Sequence, residues 1–176
     1  FSHALKSNTS VQDWCGQVFQ QLNKSAAGWR GQAFSYFQEA GDRRFTLPDR
    51  PLEDALWVLL RLDPTRLPRG EIELIPGALF SRFSHRPTAP AKAVADVDAG
   101  PETSHYRIEY PDLDRTLEIR FDTAFPHIIR SWRETTPDGV TSARLEERIM
   151  HSDYWNKNQP EHRPLRRELG LDPVPD

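Results

Sequence analysis

The stretch SHYRIEYPDLDRTLEIRFDTAFPHIIRSWRETTPDGVTSARLEERIM (104–150) decides the fold. Tyr106, Ile108 and Tyr110 alternate with Arg107 and Glu109, and Leu117, Ile119 and Phe121 alternate with Glu118 and Arg120. A period of two sends one side of a strand into a core and the other into water. Residues 126–135, with Ile128, Ile129 and Trp132, predict a further strand. Thr136-Pro137-Asp138-Gly139 is a strong turn signal. Beyond it, Ala143, Leu145 and Ile149 alternate with Arg144, Glu146 and Arg148. Parallel neighbours need a crossover of about a dozen residues or more, and these connections are shorter. The stretch therefore predicts an antiparallel meander.

Ile72 and Leu74 alternate with Glu71 and Glu73, and residues 91–97 form a weaker strand closed by the turn Asp98-Ala99-Gly100-Pro101. Between them, residues 77–89 hold a short turn of helix and a proline-rich loop. The clearest helix is 50–61. Leu52, Ala55, Leu56, Leu59 and Leu60 make one apolar stripe. Asp49 or Arg50 stands at the cap, Pro51 suits the first turn, Glu53 and Asp54 favour the positive end of the dipole, and Arg61 suits the last turn. Pro64 prevents continuation.

Residues 11–22 are ambiguous. Val11, Trp14, Cys15, Val18, Phe19 and Leu22 fit helical spacing, but Gly16 costs a helix about 1 kcal/mol. The aromatic run 29–37 reads as a strand and 23–28 as a turn, which favours a β-hairpin. Residues 1–10 are polar and read as an extended lead-in. After His151 a short helix is expected at 153–157, capped by Ser152 or Asp153. A second is expected at 160–169, ended by Gly170 and Pro173. The expected fold is α+β and mainly antiparallel β. A curled, half-barrel-like sheet packs on one amphipathic helix, and a short helical tail follows.

The length of 176 residues suits a single domain, 1–176, with a real core. Hydrophobic residues are 37% and charged residues 28%, so the core is modest and the surface polar; five Trp, nine Phe and four Tyr partly compensate. The net charge of −3 carries no basic run of the kind that tracks phosphates, which argues against nucleic acid. One cysteine, Cys15, rules out an internal disulfide framework and a Cys-rich zinc site. The longest apolar run, residues 55–60, is far short of the roughly 20 residues of a membrane span. The opening Phe1-Ser2-His3 carries no signal peptide and suggests a processed chain or part of a longer one.

Several phrases carry a resemblance when taken together: SVQDWCGQVFQQLN (10–23), SYFQEAGD (35–42), LEDALWVLLR (52–61), LPRGEIELIP (67–76), FPHIIRSWRET (125–135) and IMHSDYWNKN (149–158). Over nearly its whole length the chain resembles a bacterial family of unknown function, mostly from the Bacteroidetes group. Its members are secreted or lipoprotein-like, and automated labelling often calls them "septum formation inhibitor Maf". Genuine Maf proteins are nucleotide pyrophosphatases with an S-x-S-P-R-R-type phosphate motif and an α/β fold. That motif does not occur here, and the strand pattern is antiparallel. The resemblance implies an extracytoplasmic setting, periplasmic or in the cell envelope. It also implies that an N-terminal segment with further strands normally precedes Phe1, so that this segment is itself an expected partner for an open sheet edge. A second resemblance is to periplasmic domains akin to lipoprotein-carrier folds. Asp54 to Gly70 follows their order of helix, proline and glycine leading into strands.

Chemical motifs are sparse. A nucleophilic Cys15 needs a base that the sequence does not name; a lone buried thiol is the simpler reading. His3, His85, His105, His127, His151 and His162 show no ligand spacing of the H-E-x-x-H kind. His151 with Asp153 offers two ligands at most, and Asp153 serves equally as a helix cap. Asp96-Val97-Asp98-Ala99-Gly100 begins like a calcium loop but lacks the later ligands. No G-x-S-x-G, G-x-x-x-x-G-K-[ST] or G-x-G-x-x-G pattern occurs. No cofactor or metal is therefore expected.

Trp14, Tyr36, Trp57, Tyr106 and Trp132 fall on elements expected to face one core. They are either packing residues or the lining of an apolar pocket. Three functional expectations follow. The first is a non-enzymatic extracytoplasmic domain binding an apolar ligand, a lipid or acyl chain, in the cupped sheet. The second is an interaction or assembly module docking through an open sheet edge. The third is a hydrolase using His127 or His151 with nearby carboxylates.

Overall fold

Alternation along the meander sets the core. The computed structural model describes residues 4–13 and 16–171, without the side chain of Asp13. Six strands, β5 (Gly70–Leu74), β6 (Ala91–Ala99), β7 (Thr103–Tyr110), β8 (Arg115–Asp122), β9 (Ile129–Thr136) and β10 (Gly139–Arg144), pair antiparallel in sequence order. In β7 and β8 every second residue is buried, and Tyr106 stands opposite Ile119 and Ile108 opposite Leu117. The opposite face brings Arg107 beside Glu118, and Glu118 beside Arg133, so opposite charges meet across strands.

Helix α1 (Glu53–Leu62) covers the apolar face. Leu56 and Leu60 pack with Leu74, Ala93, Ala95, Tyr106, Ile108, Leu117, Ile119 and Phe121, each burial favouring the fold by about 1.5–3 kcal/mol for the large side chains. The expected stripe is present: Leu52, Leu56 and Leu60 are buried, and Ala55 and Leu59 are half-buried. The helix begins later than expected. Leu52 is the N-cap, with no side-chain cap bond, while Asp49 and Arg50 instead pair with Lys24 and Glu73.

The N-terminal third forms a second sheet, order β1-β2-β3-β4, from β1 (Lys6–Asp13), β2 (Gly16–Ser25), β3 (Gly28–Ser35) and β4 (Arg43–Leu47). The expected hairpin is β2–β3. The polar lead-in is itself a strand from Lys6 onward, because β2 supplies its ladder. Two open sheets thus stand where one curled sheet was expected, and neither closes on itself.

Leu52 and Ile75 join the two sheets through a parallel bridge, with Glu53 N donating to Ile75 O and Ile75 N to Pro51 O, both at 2.9 Å. Around this strut Leu22, Trp29 and Leu47 form a smaller core, and Trp29 Nε1 donates to Arg50 O at 2.9 Å.

Helix α2 (Ala78–Phe83) fills the helical turn expected in 77–89. The expected strand over 126–135 starts only at Ile129, after a turn through residues 123–127. The meander ends at Arg144, and all six residues of β10 are exposed rather than half-buried. In the tail, a 3-10 turn at Tyr154–Asn156 replaces the first expected helix. The second is a 3-10 turn, Pro160–His162, followed by the short α3 (Leu165–Glu168).

Candidate functional site

One face of β1–β3 looks across a groove at α2 and the loop after it. The register settles which side chains share that face. Val11 stands opposite Val18, Val18 opposite Ser35, Gln20 opposite Ala33, and Ala33 opposite Arg43. The same face continues through Leu22 into the smaller core, so the groove is the part of it that the core leaves uncovered. Its two contiguous halves, of about 360 and 380 Å³, share Val11, Val18, Glu39, Ala40, Arg82 and His85. Small-molecule sites commonly occupy roughly 300–1,000 Å³. Gln20 Oε1 accepts from Thr88 Oγ1 at 2.9 Å and ties the sheet to the far wall.

Val11, Val18 and Ala33 give the groove's floor apolar patches among Thr9, Gln20 and Ser35, with Arg43 at the end of the same face, and Arg82 and Arg86 stand on the opposite wall. Arg43, Arg82, Arg86 and His85 line it against a single carboxylate, Glu39. Arg82 rests over the Phe37 ring, 5.6 Å from its centre, a cation–π contact that holds the guanidinium at the rim. Arg43 and Arg86 have no ion-pair partner among the described residues. His85 adopts φ 53° because it closes α2 in a Schellman arrangement: Arg86 N donates to Ser81 O and His85 N to Arg82 O. The left-handed residue there is a histidine where glycine is usual.

Behind α2 lies a buried ion network. Arg115 donates from Nη1 and Nη2 to Glu53 at 2.5 and 2.7 Å, and from Nε to Glu134 at 2.5 Å. Tyr110 Oη donates to Glu53 at 2.6 Å. The Arg115 guanidinium lies 4.3 Å from the centre of the Phe80 ring, so α2 is the lid of the network. Ala78 N donates to Asp54 at 3.2 Å, and a Cβ on Gly77 would stand 2.7 Å from a Glu53 oxygen. The network thereby fixes where α2, and with it the groove wall, sits.

Burial alone would lower the Arg115 pKa, but the bonds and charges of Glu53 and Glu134 outweigh it and raise the net value. Burial, followed by the Glu53 charge, raises the Tyr110 phenol. Asp54 is raised chiefly by burial, with the Ala78 N–H opposing and the neighbouring Glu53 charge adding to it.

The sequence-selected aromatics are placed elsewhere. Tyr106 is fully buried and donates to Pro68 O at 3.0 Å; Trp57 and Trp132 pack edge to face at 6.2 Å, against the main core. Tyr36 is 75% exposed beside Phe37. None of these four lines the groove. Trp14, Cys15 and His3 lie outside the described residues. His127 Nδ1 is 3.2 Å from Asp122 O, and its ring meets Phe121 and Phe125 edge-on. His151 is exposed in the tail. Among the described residues no three His, Cys, Asp or Glu side chains gather as a metal site, and no helix is long and apolar enough to cross a membrane.

The sequence offered Glu53 only as a helix-dipole residue and did not single out Arg115 or the groove arginines. For the first two a signal existed. Arg115 is in phase with Leu117, Ile119 and Phe121, and Glu53 with Leu56 and Leu60. One charge of each sign inside two apolar faces points to a buried pair. No protein-family model, curated protein or solved structure matches this chain.

Proposed function

We propose that this protein is a non-enzymatic binding domain for an acyl chain carrying an anionic head, held in the groove between the N-terminal sheet and α2. The observation that carries this reading is the meeting of the apolar side chains Val11, Val18 and Ala33 on the sheet face with three arginines, Arg43 on the same face and Arg82 and Arg86 on the opposite wall, against Glu39 as the one carboxylate of the lining. Guanidinium groups recognise carboxylates and phosphates by charge-assisted hydrogen bonds. The floor supplies apolar area for the chain at roughly 25 cal/mol per Å² buried. The main core, by contrast, is filled by Tyr106, Tyr110 and Phe121, each at most 1% exposed. The ligand of this reading therefore lies beside α2, not under α1.

Displacement of a fluorescent fatty acid tests the reading. Palmitate is expected to compete, and the uncharged alcohol of the same chain length to compete at least about tenfold less well. Arg82→Glu with Arg86→Glu removes the preference. Equal competition by the alcohol, or unchanged palmitate binding in the double variant, sinks the proposal. The resemblance set out above adds an extracytoplasmic setting, which fractionation of the full-length protein tests: recovery in the cytosolic fraction removes it.

A further inference from the structure

We infer that the outward face of α2, with the aromatic turn beside it, is a docking surface for a bilayer containing anionic lipid, from which the groove takes its ligand. The inference names the source of that ligand and in this respect rests on the groove reading.

Helix α2 carries apolar side chains on two faces. Phe80 lies over Arg115, and Ser81 is buried at 5% exposure, so these two point inward. Leu79 and Phe83 stand four residues apart, on one face of the helix, and are 49% and 67% exposed. Tyr36 and Phe37, just past the end of β3, are 75% and 43% exposed, and their rings meet edge to face at 5.8 Å. Phe37 and Phe83 line the same half of the groove, which brings the two exposed groups to one mouth. A single exposed apolar side chain is ordinary, whereas four around the mouth of a groove mark an interaction surface.

Charge selects the partner. From Leu74 to Ala95 the chain carries Arg82, Arg86 and Lys92 but no Asp or Glu, although acids outnumber bases 26 to 23 over the whole sequence. Arg82 lies 5.6 Å from the centre of the Phe37 ring, so a guanidinium and an exposed aromatic share the rim. At a bilayer surface the apolar side chains enter the acyl boundary while arginines keep their heads at the level of the phosphates. Anionic headgroups attract those arginines. A protein partner would need an apolar face edged with acids to match. A bilayer supplies both, and it holds acyl chains with anionic heads directly against the groove mouth, so a chain moves into the groove without crossing water.

Co-sedimentation with vesicles tests the inference, comparing phosphatidylcholine alone with an equal mixture of phosphatidylcholine and phosphatidylglycerol. The protein is expected to bind the mixed vesicles and to bind the neutral ones at least about tenfold less well. Leu79→Ser with Tyr36→Ser lowers binding to mixed vesicles by about tenfold. It leaves palmitate displacement unchanged, because neither side chain lines the groove. Leu79→Trp places a ring suited to the membrane interface on the same face and raises vesicle binding several-fold. Palmitate displacement is measured without vesicles, so failure of the docking surface leaves it intact, and failure of the groove shows in it alone. A wild-type protein that ignores both vesicles overturns the inference, as does equal binding to the two. Vesicle binding indifferent to the Leu79 variants overturns it too. Self-association that Leu79→Ser abolishes, without vesicle binding, makes the patch a protein-docking face and overturns it as well.

Discussion

Arg115 and Glu53 form a two-pronged ion pair across 62 residues of sequence, with both side chains no more than 4% exposed. The pair joins β8 to the first turn of α1. Through Phe80 over the guanidinium, it also seats α2. A buried pair is expensive to break and cheap to replace, since removing one partner leaves an uncompensated charge. Arg115→Met alone is expected to cost about 3–5 kcal/mol in urea unfolding, and Glu53→Met alone a similar amount. The double replacement is expected to recover most of that loss. If the two single losses simply add, the pair is not energetically coupled and this account of it fails.

Placement of α2 by the network has a second consequence, at Asp54. Its raised pKa means that the folded state holds the proton more tightly than the unfolded state. The associated stability is fully present below the ordinary carboxylate value and is lost as pH rises through the raised folded value. Asp54→Asn keeps an acceptor for Ala78 N and removes the titration. The stability gained by the variant over wild type should grow with pH across that window and then level off. Chemical denaturation at a series of pH values measures it. A gain that shrinks as pH rises contradicts burial as the governing cause.

Alternation made β5, β7 and β8 legible, because a strand with one buried face must alternate, and the apolar stripe made α1 legible for the same reason at a different period; β10, exposed at all six positions, has no such face, and the alternation read through Ile149 does not correspond to a buried strand. Strand β1 was not legible. Lys6, Ser7, Asn8, Thr9 and Ser10 lack any alternation, and their strand exists because β2 offers hydrogen bonds. The limits of α1 shifted because backbone bonds around Ile75, rather than a side-chain cap, fix its start. The groove had no sequence signature at all. Its cations come from β4, from α2 and from the loop after it, and each reads alone as an ordinary surface arginine.

His85 ends α2 in a conformation that a side chain disfavours by about 1–2 kcal/mol. His85→Gly relieves that strain but loosens the unfolded chain, for a net gain of about 0.5–1 kcal/mol. Because the imidazole lines the groove, the same change should weaken palmitate binding several-fold. Opposite movement of stability and affinity is the expected outcome, read by thermal unfolding and by displacement on the same samples. A variant that is more stable and binds equally well would show that His85 has no part in the site.

Trp57 and Trp132 meet edge to face at 6.2 Å, linking the middle of α1 to β9. Edge-to-face pairs contribute about 0.5–1.5 kcal/mol beyond the area they bury. Both rings are half-buried against the main core, and neither lines the groove. Replacing each by Leu, singly and together, should therefore show a coupling energy in that range while leaving palmitate affinity unchanged. The two measurements separate a packing role from a ligand-lining role. Loss of palmitate binding in a Trp132→Leu variant that remains folded would move the site from α2 to the space between α1 and the six-stranded sheet.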